Sequence, residues 1–152
     1  MNYEELKTKI SEILPSATFD ETGEWLNVLI DSADWLPLAW QLRAHHSFQF
    51  DYLFCVTAVD WKSHLGMVYH LRSAKLGHII VVKAKIADRN NPEIETVSQI
   101  WRTAEFHERE AFDLMGIKFL HHPDLRRLLL TEDWEGYPLR KDYVDEVNMI
   151  KL

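Results

Sequence analysis

The chain has 152 residues, enough for one domain with a substantial core, and its 47% hydrophobic and 27% charged residues are typical of a globular protein. Its 17 Lys and Arg against 24 Asp and Glu give a net charge of −7, which argues against non-specific nucleic-acid binding because that requires surplus cations. The single cysteine excludes an internal disulfide and a cluster held by this chain alone. With no apolar run of membrane-spanning length and no signal-peptide pattern, we expect an intracellular protein.

The N-terminal part is predicted to form a helix, a strand and a second helix. Asn2 and Glu5 make a capping box for the first helix, whose apolar residues recur at helical spacing. Residues 25–30 form an apolar run of strand length. Asp34 is predicted to begin the second helix, which puts Pro37 in the first turn, where its missing N–H costs little.

Three further strands are predicted over residues 52–60, 67–73 and 78–86. Short turns that contain Gly66 and Gly77 separate these runs, which favours an antiparallel meander. Parallel pairing among them would need crossover helices that the spacing does not allow. The predicted fold class is therefore α+β: a two-layer domain with helices packed on one face of a mostly antiparallel sheet.

A third helix is predicted over residues 91–116. Asn91 is a favourable N-cap, Pro92 suits the first helical position and Gly116 suits the C-terminal stop. At 3.6 residues per turn, one apolar stripe would contain Ile94, Val97, Ile100, Trp101, Ala104, Ala111, Phe112 and Met115.

Charged residues of this predicted helix fall on two sides. Glu108 lies in the apolar stripe, where a carboxylate is costly unless it is paired. Arg109 and Asp113 are predicted on the polar side, four residues apart and able to pair with each other. We expect Glu108 to tie the following segment to the helix, and a general acid of raised pKa is the rival interpretation. The candidate basic partners of Glu108 are Arg126, Arg127, Arg140 and Lys141.

Residues 1–116 are predicted to form the compact domain, and residues 117–152, the C-terminal segment, have a different character. The C-terminal segment is rich in charges and prolines and follows neither a helical nor a strand period, yet it is too apolar for a solvated tail. We therefore expect it to dock on a partner protein. Its basic pairs, 126–127 and 140–141, favour a protein partner over anionic lipid, since four cations are too few to anchor a protein to a membrane.

Common enzyme motifs are not found in the sequence. It has no glycine-rich phosphate loop and no nucleophile elbow, and Cys55 lies in an apolar strand where an inert thiol is expected. Among the eight histidines, His107, His121 and His122 could form a metal cluster with Glu110. Only one Glu and His pair has the spacing of a helical metal site, so we favour surface and interface histidines.

Residues 108–143 resemble the signature of the C subunit of the proton-pumping NADH:quinone oxidoreductase, the 30 kDa subunit family of respiratory complex I. The resemblance begins with the helical run Glu-Arg-Glu at 108–110 and continues into the C-terminal segment. The positions that carry it, which would form the family motif and interface, are Glu108, Arg109, Glu110, Asp113, Gly116, His122, Pro123, Asp124, Arg126, Arg127, Asp133, Trp134, Gly136, Pro138, Arg140, Lys141, Asp142 and Tyr143.

This resemblance implies a non-catalytic assembly subunit in the peripheral arm of the complex, on the cytoplasmic face of the bacterial inner membrane. It implies contact with the D subunit, which shapes the quinone pocket and is called the quinone-pocket subunit below, and with other neighbours in the arm. FMN and iron–sulfur clusters are expected in those partner subunits, with no cofactor, metal ion or nucleic acid bound by this chain. Membrane association would then arise only through the complex.

Three alternatives stay open at this point. Related membrane-bound hydrogenases and F420H2-type dehydrogenases contain similar subunits, so the electron donor could differ. A metal-dependent enzyme would use the histidine and glutamate residues named above. A free-standing binding module is disfavoured by the apolar C-terminal segment, because exposed apolar segments of this length favour association.

Overall fold

The computed structural model describes residues 1–147, and residues 148–152 of the C-terminal segment lie outside the described part. The first two helices and the four strands predicted between residues 25 and 86 are confirmed to within a few residues of their expected ends. In chain order the helices and strands are α1 (Tyr3–Ile13), β1 (Thr18–Asp20), β2 (Leu26–Asp31), α2 (Trp35–Ala44), β3 (Tyr52–Asp60), β4 (Leu65–Arg72), β5 (Ile79–Ile86), β6 (Glu93–Glu95), α3 (Ala104–Met115) and β7 (Lys118–Leu120).

Five strands form the main sheet in the order β1-β2-β5-β4-β3. The β3–β4–β5 meander is antiparallel, as predicted, and β1 pairs antiparallel with β2. Strand β2 pairs in parallel with β5, so the sheet is mixed but mostly antiparallel. Strands β6 and β7 form a separate parallel pair. The predicted α+β class is confirmed.

The core lies between one face of the main sheet and the helices. On β5 the alternation is as predicted, with Ile80, Val82, Ala84 and Ile86 buried while Lys85 is exposed. Because side chains alternate along a strand, the registered neighbours on β2 and β4 face the same side and close one apolar layer. Helices α1 and α2 cover this layer with the buried residues Leu6, Ile10, Trp35, Leu38, Ala39 and Leu42.

The prediction of a helix from Asn91 to Gly116 is wrong at its beginning. Helix α3 begins at Ala104, and residues 93–95 instead form β6, which pairs with β7. The backbone N–H of Lys118 extends this pairing by donating to the Pro92 carbonyl oxygen at 2.9 Å. Ile94 is buried, as the apolar stripe required, but it is buried from a strand. The long-range pairing satisfies backbone groups and the apolar surface together, which overrides the local helix signals.

Helix α3 packs on β3, and the residues just before the helix donate hydrogen bonds to carbonyl oxygens at and before the start of that strand. The Thr103 hydroxyl, at its N-terminus, donates to the Leu53 carbonyl oxygen at 3.0 Å. The Trp101 indole N–H donates to the Phe50 carbonyl oxygen at 2.8 Å and anchors the preceding turn. These contacts fix the helix on the domain and direct its other side toward the C-terminal segment. None of the helices within residues 1–147 is long and apolar enough to span a membrane.

Candidate functional site

Asp113 is the centre of the contact between α3 and the C-terminal segment. One carboxylate oxygen accepts hydrogen bonds from the backbone N–H groups of Leu128, Leu129 and Leu130 at 3.1, 2.6 and 2.9 Å. The other accepts from the Arg127 guanidinium at 3.0 Å. Successive N–H groups that converge on one oxygen form an anion-binding concavity in the backbone. The segment is therefore folded around a carboxylate that the helix supplies.

The Asp113 side chain is fully buried, and burial by itself would raise its pKa. The three backbone N–H groups and Arg127 outweigh burial and lower the pKa of Asp113 below its ordinary value. The carboxylate is thus ionised at neutral pH, the state in which it accepts all four hydrogen bonds.

Arg127 connects this concavity to the next part of the segment. Its guanidinium donates to the Asp113 carbonyl oxygen and to the Gly136 carbonyl oxygen, each at 3.1 Å. The same group lies over the Tyr137 ring at 5.1 Å from the ring centroid. One half-buried side chain therefore joins the helix to two stretches of irregular backbone, which is suited to the planar donor set of arginine.

Arg109 and Asp113 do not form the surface pair that the sequence predicted. Both are buried, and each bonds to the C-terminal segment. Arg109 donates to the carbonyl oxygens of Arg126 and Arg127 at 3.2 and 3.1 Å. The prediction is wrong because the segment covers the polar side of the helix and satisfies these charges itself.

Gly116 ends α3, as predicted, in the left-handed conformation with φ of 73°. The position also has no room for a side chain, since a Cβ atom there would lie 2.7 Å from the Tyr137 ring. The backbone N–H of Leu139 donates to the Leu114 carbonyl oxygen at 3.0 Å just beyond this contact. Gly116 is required both for the helix stop and for the close approach of the segment.

A second anchor joins the C-terminal segment to the end of β3. The Arg89 guanidinium binds the Asp60 carboxylate through both nitrogens, one of them at 3.0 Å. The same carboxylate accepts from the backbone N–H of Lys141 at 2.8 Å, and Arg140 donates to the Arg89 carbonyl oxygen at 2.9 Å. Arg89 is the main reason that the pKa of Asp60 lies well below its usual range. Asp142 extends the network by accepting from Arg140 at 3.0 Å.

Glu108 is fully buried, as its place in the apolar stripe predicted, but the predicted partners are wrong. Its carboxyl group accepts from the Val97 backbone N–H at 2.9 Å and contacts the Thr96 hydroxyl. The basic residues expected to pair with it bind other groups instead: Arg127 bonds to Asp113, and Arg140 bonds to Asp142. Burial, which these two hydrogen bonds only partly offset, raises the pKa of Glu108 to about 7. Glu108 therefore joins α3 to the β6 region, within the domain.

His122 of the C-terminal segment lies close to Glu108, with 3.7 Å between its Nε2 and a carboxyl oxygen. The backbone N–H of Asp124 donates to His122 Nδ1 at 3.0 Å. Because a backbone N–H can only donate, Nδ1 must accept, and the ring proton lies on Nε2, which donates to the Glu105 carbonyl oxygen at 3.0 Å. His122 thus acts as a buried clasp between the segment and α3.

The proposed metal ligands are dispersed. His121 pairs with Glu95 at 2.7 Å and His107 lies 3.4 Å from the Val56 carbonyl oxygen, while Glu110 is exposed. Across residues 1–147, no three His, Cys, Asp or Glu side chains come close enough to hold a metal ion. Cys55 is half-buried in β3.

Other motif residues have their side chains on the surface. Pro123, Asp133, Trp134 and Lys141 are exposed, whereas Pro138 and Tyr143 are half-buried. The Tyr143 ring packs on Gly136, where a Cβ atom would lie 3.0 Å from it. The motif thus contains buried anchors and an outward face.

Large apolar side chains are concentrated on that outward face. Leu129 is 63% exposed and Leu139 is 60% exposed, although the backbone N–H of each donates a hydrogen bond to a residue of α3. Phe106 on α3 and the segment residues Leu128, Trp134, Val144 and Val147 are also exposed. Several large apolar side chains left exposed on one segment and the helix that anchors it are typical of a protein-binding surface.

Sequence reasoning missed three contributors to the site: Asp60, Arg89 and Thr96. Arg89 lies in a polar loop between β5 and β6 with no pattern that indicates its distant partners. Asp60 ends a strand, a common place for a turn residue, so only the fold reveals its role. The ends of strands and buried hydroxyls carry no periodic signal.

Known proteins are similar to this chain over a range that includes α3 and the anchored C-terminal segment. Residues 28–147 match the family model described as respiratory-chain NADH dehydrogenase, 30 Kd subunit. The NADH-quinone oxidoreductase C subunit of Chlorobium phaeobacteroides is 41% identical over 93% of this chain and 86% of its own length. The C subunit of Moorella thermoacetica is 37% identical over 89% of this chain and 90% of its own length.

Two further matches are to a longer protein and to a chain of a larger complex. The NADH-quinone oxidoreductase C/D protein of Phocaeicola vulgatus is 45% identical over 73% of this chain, which matches 22% of that longer protein. The structure of the membrane-bound sulfane sulfur reductase, an archaeal respiratory membrane complex, contains a chain with a TM-score of 0.75 and 30% identity, covering 95% of this chain and 86% of that one. Since the family model covers strands β3 to β7, α3 and the anchored segment alike, the chain belongs to the 30 kDa subunit family of respiratory-chain NADH dehydrogenase.

Proposed function

We propose that this chain is a non-catalytic structural subunit in the peripheral arm of a proton-translocating NADH:quinone oxidoreductase. The observation that carries the proposal is the construction of the C-terminal segment. Its backbone is folded around the buried carboxylate of Asp113 and the guanidinium of Arg127, while Leu129 and Leu139 face outward. The charged groups fix the backbone conformation of the segment, and its exposed apolar side chains are available to bind a partner.

The quinone-pocket subunit is the partner that we propose for this surface. In Phocaeicola vulgatus the relative named C/D is a single chain, and two subunits made as one chain are expected to lie side by side in their complex. An apolar surface framed by charged residues has the composition of a stable protein interface. The chain would then lie on the cytoplasmic face of the membrane through its partners.

Electron transfer is assigned to the partner subunits in this proposal. Clusters need several thiolate ligands, and this chain has one cysteine, half-buried in a strand. The titratable residues of the site are already committed to internal bonds: Asp113 to backbone N–H groups and His122 to the helix. FMN and iron–sulfur clusters would therefore be bound by neighbouring subunits, and the chain would act by positioning them.

Isolation of the tagged chain from native membranes in mild detergent tests the assembly claim. We expect flavin, iron–sulfur and membrane subunits to co-purify together with NADH:quinone activity. Recovery with subunits that use another electron donor would contradict the assignment of NADH as the donor but would support the structural role of the chain. Recovery of the chain by itself would contradict the proposal.

The non-catalytic role has its own test in the assembled complex. Glu108→Gln removes the titratable proton of the buried carboxyl group whose pKa is raised to about 7 while keeping its size. We expect the turnover per assembled complex to be unchanged and its pH profile to keep its shape. A loss of turnover in fully assembled complex, with the pH profile displaced, would instead indicate a catalytic proton.

A further inference from the structure

The main sheet has a second face, opposite the core, which no helix covers within the described residues. A groove of about 460 Å³ runs across this face from β1 to the β3–β4 turn. We call it the outer groove and define it by Thr18, Leu29, Trp61, Val68, Lys83 and Lys85. Trp61, at one end of the outer groove, directly follows Asp60, to which the C-terminal segment is anchored.

The floor and one wall of the outer groove are apolar. Leu29 on β2 and Val68 on β4 form the floor on either side of Lys83, with which both are in register, and Trp61 lines the groove with 52% of its surface exposed. Gly66 is close enough to the Trp61 indole that a Cβ atom there would lie 3.2 Å from it. The tryptophan is thus supported on its inner side and open on its outer side.

Two lysines extend from β5 into the groove. Lys83 and Lys85 are two residues apart on one strand, so they point the same way and their Cα atoms are about 6–7 Å apart. Neither ammonium group has a hydrogen bond or an ion pair within the described residues. The lining also holds one carboxylate, that of Asp31, which lies opposite Lys85 in the parallel register of β2 and β5, so the two lysines leave an excess of one positive charge in a chain of net charge −7. Asp20 on β1 acts on Lys83 only electrostatically, without an ion-pair contact.

We propose that the outer groove is a second docking site, which binds an acidic segment of a neighbouring subunit. The occupant would place two carboxylates about 6–7 Å apart against Lys83 and Lys85, the distance between alternate residues of an extended strand. An aliphatic or aromatic side chain of the same segment would cover the Trp61 ring. The proposal rests on the proposed function because it requires that the chain be built into a complex.

Charge complementarity decides in favour of this occupant. A second copy of the chain carries an excess of negative charge, but general negative charge is not sufficient. Two lysines at alternate positions of β5 require two carboxylates at a matching distance. Once a partner excludes solvent from the groove, a lysine left without a carboxylate would be costly, so the two lysines select an acidic partner over a neutral one. The Thr18 hydroxyl at the rim offers a further donor to such a partner.

Zero-length cross-linking in the isolated complex tests the proposal. A water-soluble carbodiimide joins an amine to a carboxylate only when the two are in ion-pair contact, and mass spectrometry of the digest identifies both residues. We expect Lys83 or Lys85 to be joined to an Asp or Glu of another subunit, with a second acidic residue close by in its sequence.

The Lys83→Arg and Lys85→Arg double variant is the matched control, because it keeps both charges and lacks the reactive amine. It should assemble normally and lose the cross-link completely. Charge reversal of both lysines to Glu should lower recovery of the complex at physiological salt several-fold, whereas Lys75→Glu in the exposed β4–β5 turn should not.

Complex that is recovered intact but gives no cross-link at either lysine, or only one to Asp31 of the same chain, would overturn the second docking site and leave the proposed function standing. Failure to recover any other subunit would overturn both.

Discussion

At the scale of single residues, the chain uses two buried carboxyl groups for opposite purposes. Asp113 is kept ionised by three backbone N–H groups and an arginine, so its pKa is lowered. Glu108 lies five residues earlier in the same helix and has its pKa raised to about 7, because burial is only partly offset by its two hydrogen bonds. Asp113 organises the C-terminal segment, whereas Glu108 is buried in the domain and changes between its neutral and charged forms near pH 7.

Replacement of Asp113 by Asn should detach the segment from α3. An amide places a donor group against backbone N–H groups and removes the charge that Arg127 binds, which we expect to cost about 3 kcal/mol. Amide hydrogen exchange should rise by about two orders of magnitude at Leu128, Leu129 and Leu130, while the sheet stays protected. Asp31→Asn, at an exposed aspartate, is the control and should leave exchange unchanged.

Glu108 should make stability depend on pH across the neutral range. Its folded-state pKa is raised from 4.5 to about 7, so the stability it contributes is complete below the unfolded-state pKa and is lost as pH rises through 7. The free energy of unfolding should fall by about 3 kcal/mol between about pH 4.5 and 8, and Glu108→Gln should remove that part of the decline. Denaturant unfolding of both proteins at several pH values measures the difference. Parallel curves for the two proteins would contradict the assignment.

At the scale of elements, the end of α3 and the C-terminal segment depend on each other. Gly116 stops the helix in a left-handed conformation, and the Tyr137 ring occupies the space that any side chain would need. Helix stop and docking thus come from one residue.

Gly116→Ala should therefore destabilise the protein more than Gly77→Ala. Both glycines have positive φ, 73° and 79°, so both variants bear the cost of a left-handed alanine, about 1 kcal/mol. No atom lies within 4 Å of the Cβ position at Gly77, whereas at Gly116 the Tyr137 ring must move, adding about 2 kcal/mol. Chemical denaturation of the two variants gives this difference directly, and equal losses would show that the ring yields freely.

Helices and strands with local sequence signals were predicted correctly. Predictions were wrong where residues distant in the sequence determine the structure. The capping box of α1 and the alternation of β5 were sufficient, because each reports a period or a cap within a few residues. Asn91 and Pro92 gave an equally good local signal for a helix, yet the pairing of β6 with β7 took those residues. Arg109 is buried under backbone from residues 126 and 127, which no helical pattern can reveal.

At the scale of the whole molecule, the domain and the C-terminal segment have different roles. The sheet, α3 and the loop after β5 supply Asp113 and the Asp60–Arg89 pair, and these groups, together with Arg127 of the segment itself, determine the path of an otherwise irregular chain. That path places apolar side chains in the open. The resemblance in the motif identified these residues as a group, but the structure separates those that hold the segment from those that face outward.

The docking role of the apolar outward face is tested most directly by recovery of the complex with Leu129→Asp and Leu139→Asp combined. Both side chains are at least 60% exposed, so the variant should fold with nearly the stability of the parent chain. Leu76→Asp, at an exposed leucine in the β4–β5 turn, is the matched control.

We expect the double variant to lose its association with the other subunits and with NADH:quinone activity, while the control variant keeps both. A double variant that is recovered with the full set of subunits and full activity would contradict the docking role of the C-terminal segment.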